Sequence, residues 1–273
     1  MIRRIAAKGR PVGAAFQAAL SIVMLALSLF ATPLAAQQRF AGWLQADAFY
    51  HAVTNDFGDW KGMAIRAVVP SGPSNIWYGD LVAQEAFDDR GIWASAGNRH
   101  FFGPNWFTFA SIGGGTGDYY LPDLRADAAV GHAWLDRKNL VTILGATYVN
   151  SKDIYEDFAL LGSVAAYFPG VTAELGARIN WSYPDAVRTE RAWGAVTLGH
   201  ERRRIIVLRG GGGSEGYQLT GAVETQQRFR SYEAAATWRE WLGGHTGLLA
   251  GLEVYDNPFY TRTGVTLGVF RHW

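Results

Sequence analysis

The stretch VTAELGARINWS, residues 171–182, alternates without a break. Val171, Ala173, Leu175, Ala177, Ile179 and Trp181 make one face, and Thr172, Glu174, Gly176, Arg178 and Asn180 make the other. Period-two alternation marks a strand with one apolar and one polar face. The average strand of a globular protein holds only about five or six residues. A tilted strand that crosses a bilayer needs about 9–11. Lipid offers the backbone no hydrogen-bond partner, so a sheet in a membrane must close on itself. The pattern therefore predicts an all-β chain folded as a transmembrane antiparallel barrel.

The same rhythm recurs near 43–54, 61–69, 76–87, 91–101, 105–115, 125–135, 140–150, 158–168, 171–182, 192–200, 205–209, 230–239, 247–255 and 261–273. That gives fourteen strands; merging the weak segments GIWASAGNRHF (91–101) or RIIVLR (204–209) gives twelve. The connections fall into two interleaved sets. Short ones lie at 70–75, 103–104, 136–139, 169–170, 201–204 and 242–246. Mostly longer, more polar ones lie at 55–60, 116–124, 151–157, 183–191 and 210–229, with short exceptions at 88–90 and 256–260. Short turns at one end and long loops at the other are the organisation of an outer-membrane barrel, with both chain ends on the periplasmic side. Trp77, Trp93, Trp106, Trp134, Trp181, Trp193, Trp238 and Trp273 fall near strand ends, where an interfacial aromatic girdle is expected.

Residues 1–36 have the layout of a secretory signal peptide: Arg3, Arg4, Lys8 and Arg10, then an apolar stretch from Ala14 to Ala31, then small residues up to Ala36. The barrel is expected to occupy 37–273. Outside the signal segment the charge balance turns acidic, which excludes nucleic acid as a partner. The sequence has no cysteine, so it has no disulfide and no thiolate metal site.

Motifs for chemistry lack their context. Gly212-Gly213-Ser214-Glu215-Gly216 spells G-x-S-x-G, but a nucleophile elbow needs strand, sharp turn and helix. No amphipathic helix follows, so the motif is read as a flexible loop. His51, His100, His132, His200, His245 and His272 show no catalytic or metal-binding spacing. The glycines of 113–117 lack the G-K-[ST] of a phosphate loop. The expectation is a protein without catalytic residues, metal or cofactor. A lipid-acting enzyme and a structural or adhesive barrel are the alternatives.

The alternation sends Asp47, Arg66, Asp80, Asp127, Glu174, Arg178, Glu233, Arg239 and Glu253 into the lumen. Two readings of these charges stand open. They pair and fill the barrel, or they line a wet pathway whose charge sets selectivity. The stretch 210–229, rich in Gly, Gln and Thr, is the expected inward-folded plug.

The closing strand resembles the terminal signal that the outer-membrane assembly machinery reads, with Thr266, Gly268 and Trp273 in the expected places. Arg271 departs from that pattern, where an aromatic is expected. Three stretches, YTRTGVTLGVFRHW, GGGGSEGYQL and FTFASIGGGTGDYYLPDLRADAAVGHAW, resemble the YaiO-type outer-membrane β-barrel family. The resemblance implies an outer-membrane location and an association with export of surface polysaccharide, and it supplies no catalytic residues. The expected function is a pore or export component for a small solute or surface polysaccharide. Outer-membrane lipid, the assembly machinery and a polysaccharide export system are the expected partners.

Overall fold

The computed structural model describes residues 42–118, 120–218 and 226–273, so the expected signal segment lies outside the described residues. The fourteen strands are β1 (Trp43–Val53), β2 (Trp60–Ser71), β3 (Asn75–Ala86), β4 (Asp89–Phe101), β5 (Trp106–Gly115), β6 (Leu124–Trp134) and β7 (Leu140–Asn150). They continue as β8 (Glu156–Phe168), β9 (Val171–Tyr183), β10 (Val187–His200), β11 (Arg204–Gln218), β12 (Gln226–Trp241), β13 (Thr246–Asp256) and β14 (Thr261–His272). Each pairs antiparallel with its neighbour in sequence, and β14 closes on β1 with Trp43 opposite His272 and Val53 opposite Arg262. Closure leaves no strand edge without a partner, which is the condition for a sheet in lipid.

Fourteen strands, not twelve, follow because both doubtful segments pair on both sides. The first is β4 and the second opens β11. Two expected loops are strand instead. β10 begins at Val187, inside the stretch read as the loop 183–191, and β11 runs through the glycines to Gln218. Glycine carries no side chain to alternate, so the period-two signal vanishes there while the backbone ladder continues. Residues 210–218 are therefore wall and not plug. Residues 219–225 of that expected plug lie outside the described residues.

The outer face is a belt of exposed apolar side chains, among them Met63, Ile65, Leu81, Ile112, Leu144, Leu175, Leu208, Leu252 and Leu267. Trp77, Trp106, Trp134, Trp238 and Trp273 mark its short-turn end; Tyr50, Phe158, Tyr183 and Tyr232 mark the other. Trp93 and Trp193 are not girdle residues. Both are buried and face the lumen, since Trp93 shares a face with Gly91 and Ser95, and Trp193 with Arg191 and Ala195. A tryptophan near a strand end belongs to the girdle only if its parity is outward.

Candidate functional site: the lumen

The functional surface of a closed barrel is its inside, and here it has three levels. At the loop end an apolar cluster joins Trp60, Val82, Trp93, Tyr120, Leu121, Tyr255 and Tyr260, with Phe87 edge-on to Trp60 at 4.8 Å. Tyr120, Leu121 and Pro122 belong to the β5–β6 connection, 116–123, and all three are essentially inaccessible. The carboxylate of Asp89 accepts the Asp118 N–H at 2.9 Å, and the Tyr120 hydroxyl donates to the Gln84 carbonyl at 3.0 Å. Pro122 accepts from the Gly115 N–H at 2.9 Å. Leu121 fits because positions 91 and 115 are glycine. A Cβ at either would stand 2.6 Å from a Leu121 carbon. Among the described residues, Tyr120, Leu121 and Pro122 of the β5–β6 connection thus fold inward, away from the β11–β12 side of the expected plug 210–229.

The rest of the loop-end lumen is closed by buried polar groups. Arg191 binds the Glu215 carboxylate and the Ser231 hydroxyl and lies 3.7 Å from Glu233. Arg178 donates to Asn180 at 3.2 Å, and Asn180 donates to Asp157 at 2.8 Å. Arg125 grips Asp127 with two bonds of 2.8 Å, and Thr147 donates to the same carboxylate at 2.8 Å. Arg262 pairs with Glu253 at 3.0 Å and lies 4.2 Å above the Trp60 ring. His51 stands 3.5 Å from Glu253.

At mid-height, Arg66 bridges Asp47 at 2.5 Å and Asp80 at 3.6 Å, and Ser95 donates to Asp80 at 3.2 Å. Asp80, Ser95, Ser111, Asp127, Ser163, Glu174 and Arg209 face inward yet are only half-buried, so they border lumen space. At the short-turn end, aromatic and aliphatic clusters around Phe107, Trp43 and Trp241 line most of the circumference. Arg239 extends across this level, bound to Gln45 and lying 5.0 Å from the Trp43 ring centre. Across β9–β12 the wall carries half-buried Thr172, Thr197, Val207 and Thr237 instead.

All nine residues expected in the lumen lie on the inward face, and Asp47 with Arg66 and Asp80, and Arg239 with Gln45, are brought into shared networks. Glu174 stands apart, with only a 3.4 Å contact from the Trp193 indole N–H. Parity counting also reaches Arg99, Arg125, Asp157, Arg209 and Arg262, which the sequence reading passed over. Arg191 and Glu215 were missed because both fell in stretches read as loops. The inward cations are all arginines; Lys61, Lys138 and Lys152 lie elsewhere. A planar guanidinium can bind two acceptors in fixed geometry, which suits a crowded wall.

Ser214 is not a nucleophile on an elbow, nor is it in a flexible loop. It sits inside β11, and its hydroxyl accepts the Glu190 N–H at 3.0 Å. Among the described residues no group of three or more His, Asp or Glu side chains is arranged to hold a metal ion. Thr266 and Gly268 lie on the inward face of β14, and Gly268 leaves room for Asp47, whose Cβ would stand 2.6 Å from a Cβ added there. Trp273 points outward, and its N–H donates to the Gly42 carbonyl at 3.0 Å, tying the chain end across the closing seam.

A closed antiparallel barrel with an apolar belt, aromatic rims and a polar interior is an integral outer-membrane β-barrel protein. The sequence profile of the YaiO membrane beta barrel domain matches residues 43–218, and the chain belongs to that family. No curated protein sequence matches it. Among solved structures it is similar to the translocator domain of autotransporter NalP from Neisseria meningitidis, at 14% identity and TM-score 0.50, covering 96% of this chain and 99% of that one. It is similar to the CymD monoaromatic hydrocarbon channel at 6% identity and TM-score 0.54, covering 86% and 89%. A bacterial polysaccharide outer membrane secretin matches at 8% identity and TM-score 0.50, covering 86% and 99%. These likenesses establish the fold. With the short turns periplasmic, the inward loop 116–123 stands at the extracellular mouth.

Proposed function

We propose that the protein is a gated outer-membrane conduit for a polar solute or an extended glycan, closed at its extracellular mouth in the state described above. One contrast carries this reading. At the extracellular end His51, Trp60, Asp89, Arg125, Asn180, Arg191, Glu215, Tyr255 and Arg262 are all buried. Further down, Asp80, Ser95, Ser111, Asp127, Glu174 and Thr237 belong to a polar stretch of the inner wall that is only half-buried. Polar side chains that keep partial exposure inside a closed barrel border water, as a solute pathway requires. Cations and carboxylates alternate along it, so the pathway favours neither ion sign strongly, and the threonines of β9–β12 offer hydroxyls suited to neutral polar solutes. A role in surface-polysaccharide export fits the same features: the wall is polar, and the bacterial polysaccharide outer membrane secretin shares the fold. The protein acts without catalytic residues in this reading.

The test is solute uptake into liposomes holding protein purified from outer membranes. Neutral oligosaccharides are expected to swell liposomes with a variant whose residues 118–122 are replaced by a short Gly-Ser link, and to leave wild-type liposomes nearly unchanged. If neither form admits them, the conduit reading fails.

A further inference from the structure

On the outside of the barrel, the extracellular end of β10–β12 differs chemically from the rest of the wall. Arg188 and Arg228 flank Glu190 at 3.0 and 2.8 Å, and all three side chains are about half exposed. Arg230, opposite Ser214 in the ladder, is exposed beside them and has no ion-pair partner among the described residues. Three guanidinium groups stand against Glu190 and, one row down opposite Tyr232, Asp256, which leaves a surplus of one positive charge. Arg188 stands opposite Trp181, and Tyr232 follows Arg230 on the same face of β12, so the cluster lies at the height where lipid headgroups begin.

Immediately toward the membrane, the outward positions are Ala192 and Gly194 on β10, Gly210 and Gly212 on β11, and Ala234 on β12. Ala192 stands opposite Gly212, and Gly194 opposite Gly210, which in turn stands opposite Ala234. Apart from Tyr232, whose ring lies over Gly212 at the upper edge, no side chain there exceeds a methyl group. Leu175, Leu208 and Val254 rise around it, so the wall has a shallow apolar depression directly below the arginines.

We propose that this face docks a phosphate-bearing lipid of the outer leaflet, with phosphate on Arg188, Arg228 and Arg230 and an acyl chain along the depression. Guanidinium groups match phosphate oxygens in pairs, and the low wall lets a chain approach the backbone closely. A second copy of the barrel fits less well. A two-fold contact on this face would bring its arginines against their own symmetry mates. The other exposed cation group at this height, Lys61 and Arg90 around Glu85, stands above Met63 and Ile92 and has no such depression. It provides a control within the same molecule.

The experiment is native mass spectrometry of the protein purified from outer membranes into detergent, with bis-phosphorylated lipid A as probe and phosphatidylcholine as reference. Lipid A is expected to be retained selectively. The triple variant Arg188→Gln, Arg228→Gln, Arg230→Gln should bind it about tenfold more weakly or worse, as expected when several charge-assisted contacts are lost. Lys61→Gln with Arg90→Gln should change binding less than about twofold. Gly210→Leu should weaken binding with no change in charge; a Cβ there meets nothing nearer than 3.6 Å, so the barrel tolerates the side chain. Wild-type retention in the triple variant would overturn the site. Unchanged binding in Gly210→Leu would overturn the acyl seat. Wild-type dimers that disappear in Gly210→Leu, without any lipid preference, would make the face a contact between copies and overturn the proposal.

Discussion

At the scale of the residue, the decisive groups are charges whose environment is other charges. Asp47 is nearly inaccessible and meets Arg66 at 2.5 Å. Removing one member of a buried pair leaves the other without its counter-charge, which costs about 3–5 kcal/mol. Arg66 keeps Asp80 within 3.6 Å, which places Asp47→Ala near the lower end of that range. Urea unfolding of the lipid-reconstituted barrel, followed by tryptophan emission, is expected to show this loss. It should also show a smaller loss when Asp47→Leu and Arg66→Leu are combined with Asp80→Asn, which removes the whole network, than for Asp47→Ala alone. Equal losses in the two would mean that the pair is solvated rather than buried. In the β1–β2 loop, the Tyr50 hydroxyl and the Val53 N–H both donate to Asp59 and hold its carboxyl below its ordinary pKa. A lowered folded-state pKa makes this contribution complete above the unfolded value of about 3.9 and lost as pH falls through the lower folded value. Pepsin nicking between residues 54 and 59 should therefore rise steeply only in that acid window. Asp59→Asn should abolish the step, and a wild-type rate that is flat across the window would contradict this account of the loop.

At the scale of the element, the connection 116–123 and the strand β11 exchange the roles expected of them. The strands with bulky alternation, such as β9, were fully legible, because one face of apolar side chains opposes one face of polar ones. The glycines of β11 erased that alternation, and the polar ends of β10–β12 read as loop although they pair as strand. The inward fold of Tyr120, Leu121 and Pro122 was not legible, since Leu121 depends on Gly91 of β4, a strand the connection does not adjoin in sequence, as well as on the adjoining Gly115. The lumen charges were legible wherever parity was clear. They were missed where the strand itself was missed, as with Arg191 and Glu215. Gly91→Ala is expected to unseat the loop, because its Cβ would stand 2.3 Å from the Thr116 carbonyl oxygen and 2.6 Å from Leu121. Proteolysis of 116–123 on intact cells should then increase, and protection equal to wild type would show that the loop is held by other means. Ser214→Ala should cost about 1 kcal/mol through its lost bond to the Glu190 N–H. If hydrolysis of an outer-membrane lipid were detected and disappeared in this variant, the enzymatic alternative would replace the conduit reading.

At the scale of the whole molecule, the proposed conduit assigns the two readings of the lumen charges to different heights. Pairing and close packing fill the extracellular end, and half-buried polar groups face inward below it. In the proposed conduit the alternating charge of that wall gives weak ion selectivity, and Glu174, which has no cation within ion-pair distance among the described residues, is the carboxylate best placed to bias it. Single-channel recording of the protein purified from outer membranes tests the central claim most directly. The account predicts a nearly silent wild-type barrel, stepwise conductance once residues 118–122 are replaced by a short Gly-Ser link, and a shift toward anions when Glu174→Gln is added to that variant. Steady wild-type conductance equal to that of the loop variant would contradict closure at the extracellular mouth, and a loop variant that stays silent would contradict the conduit itself.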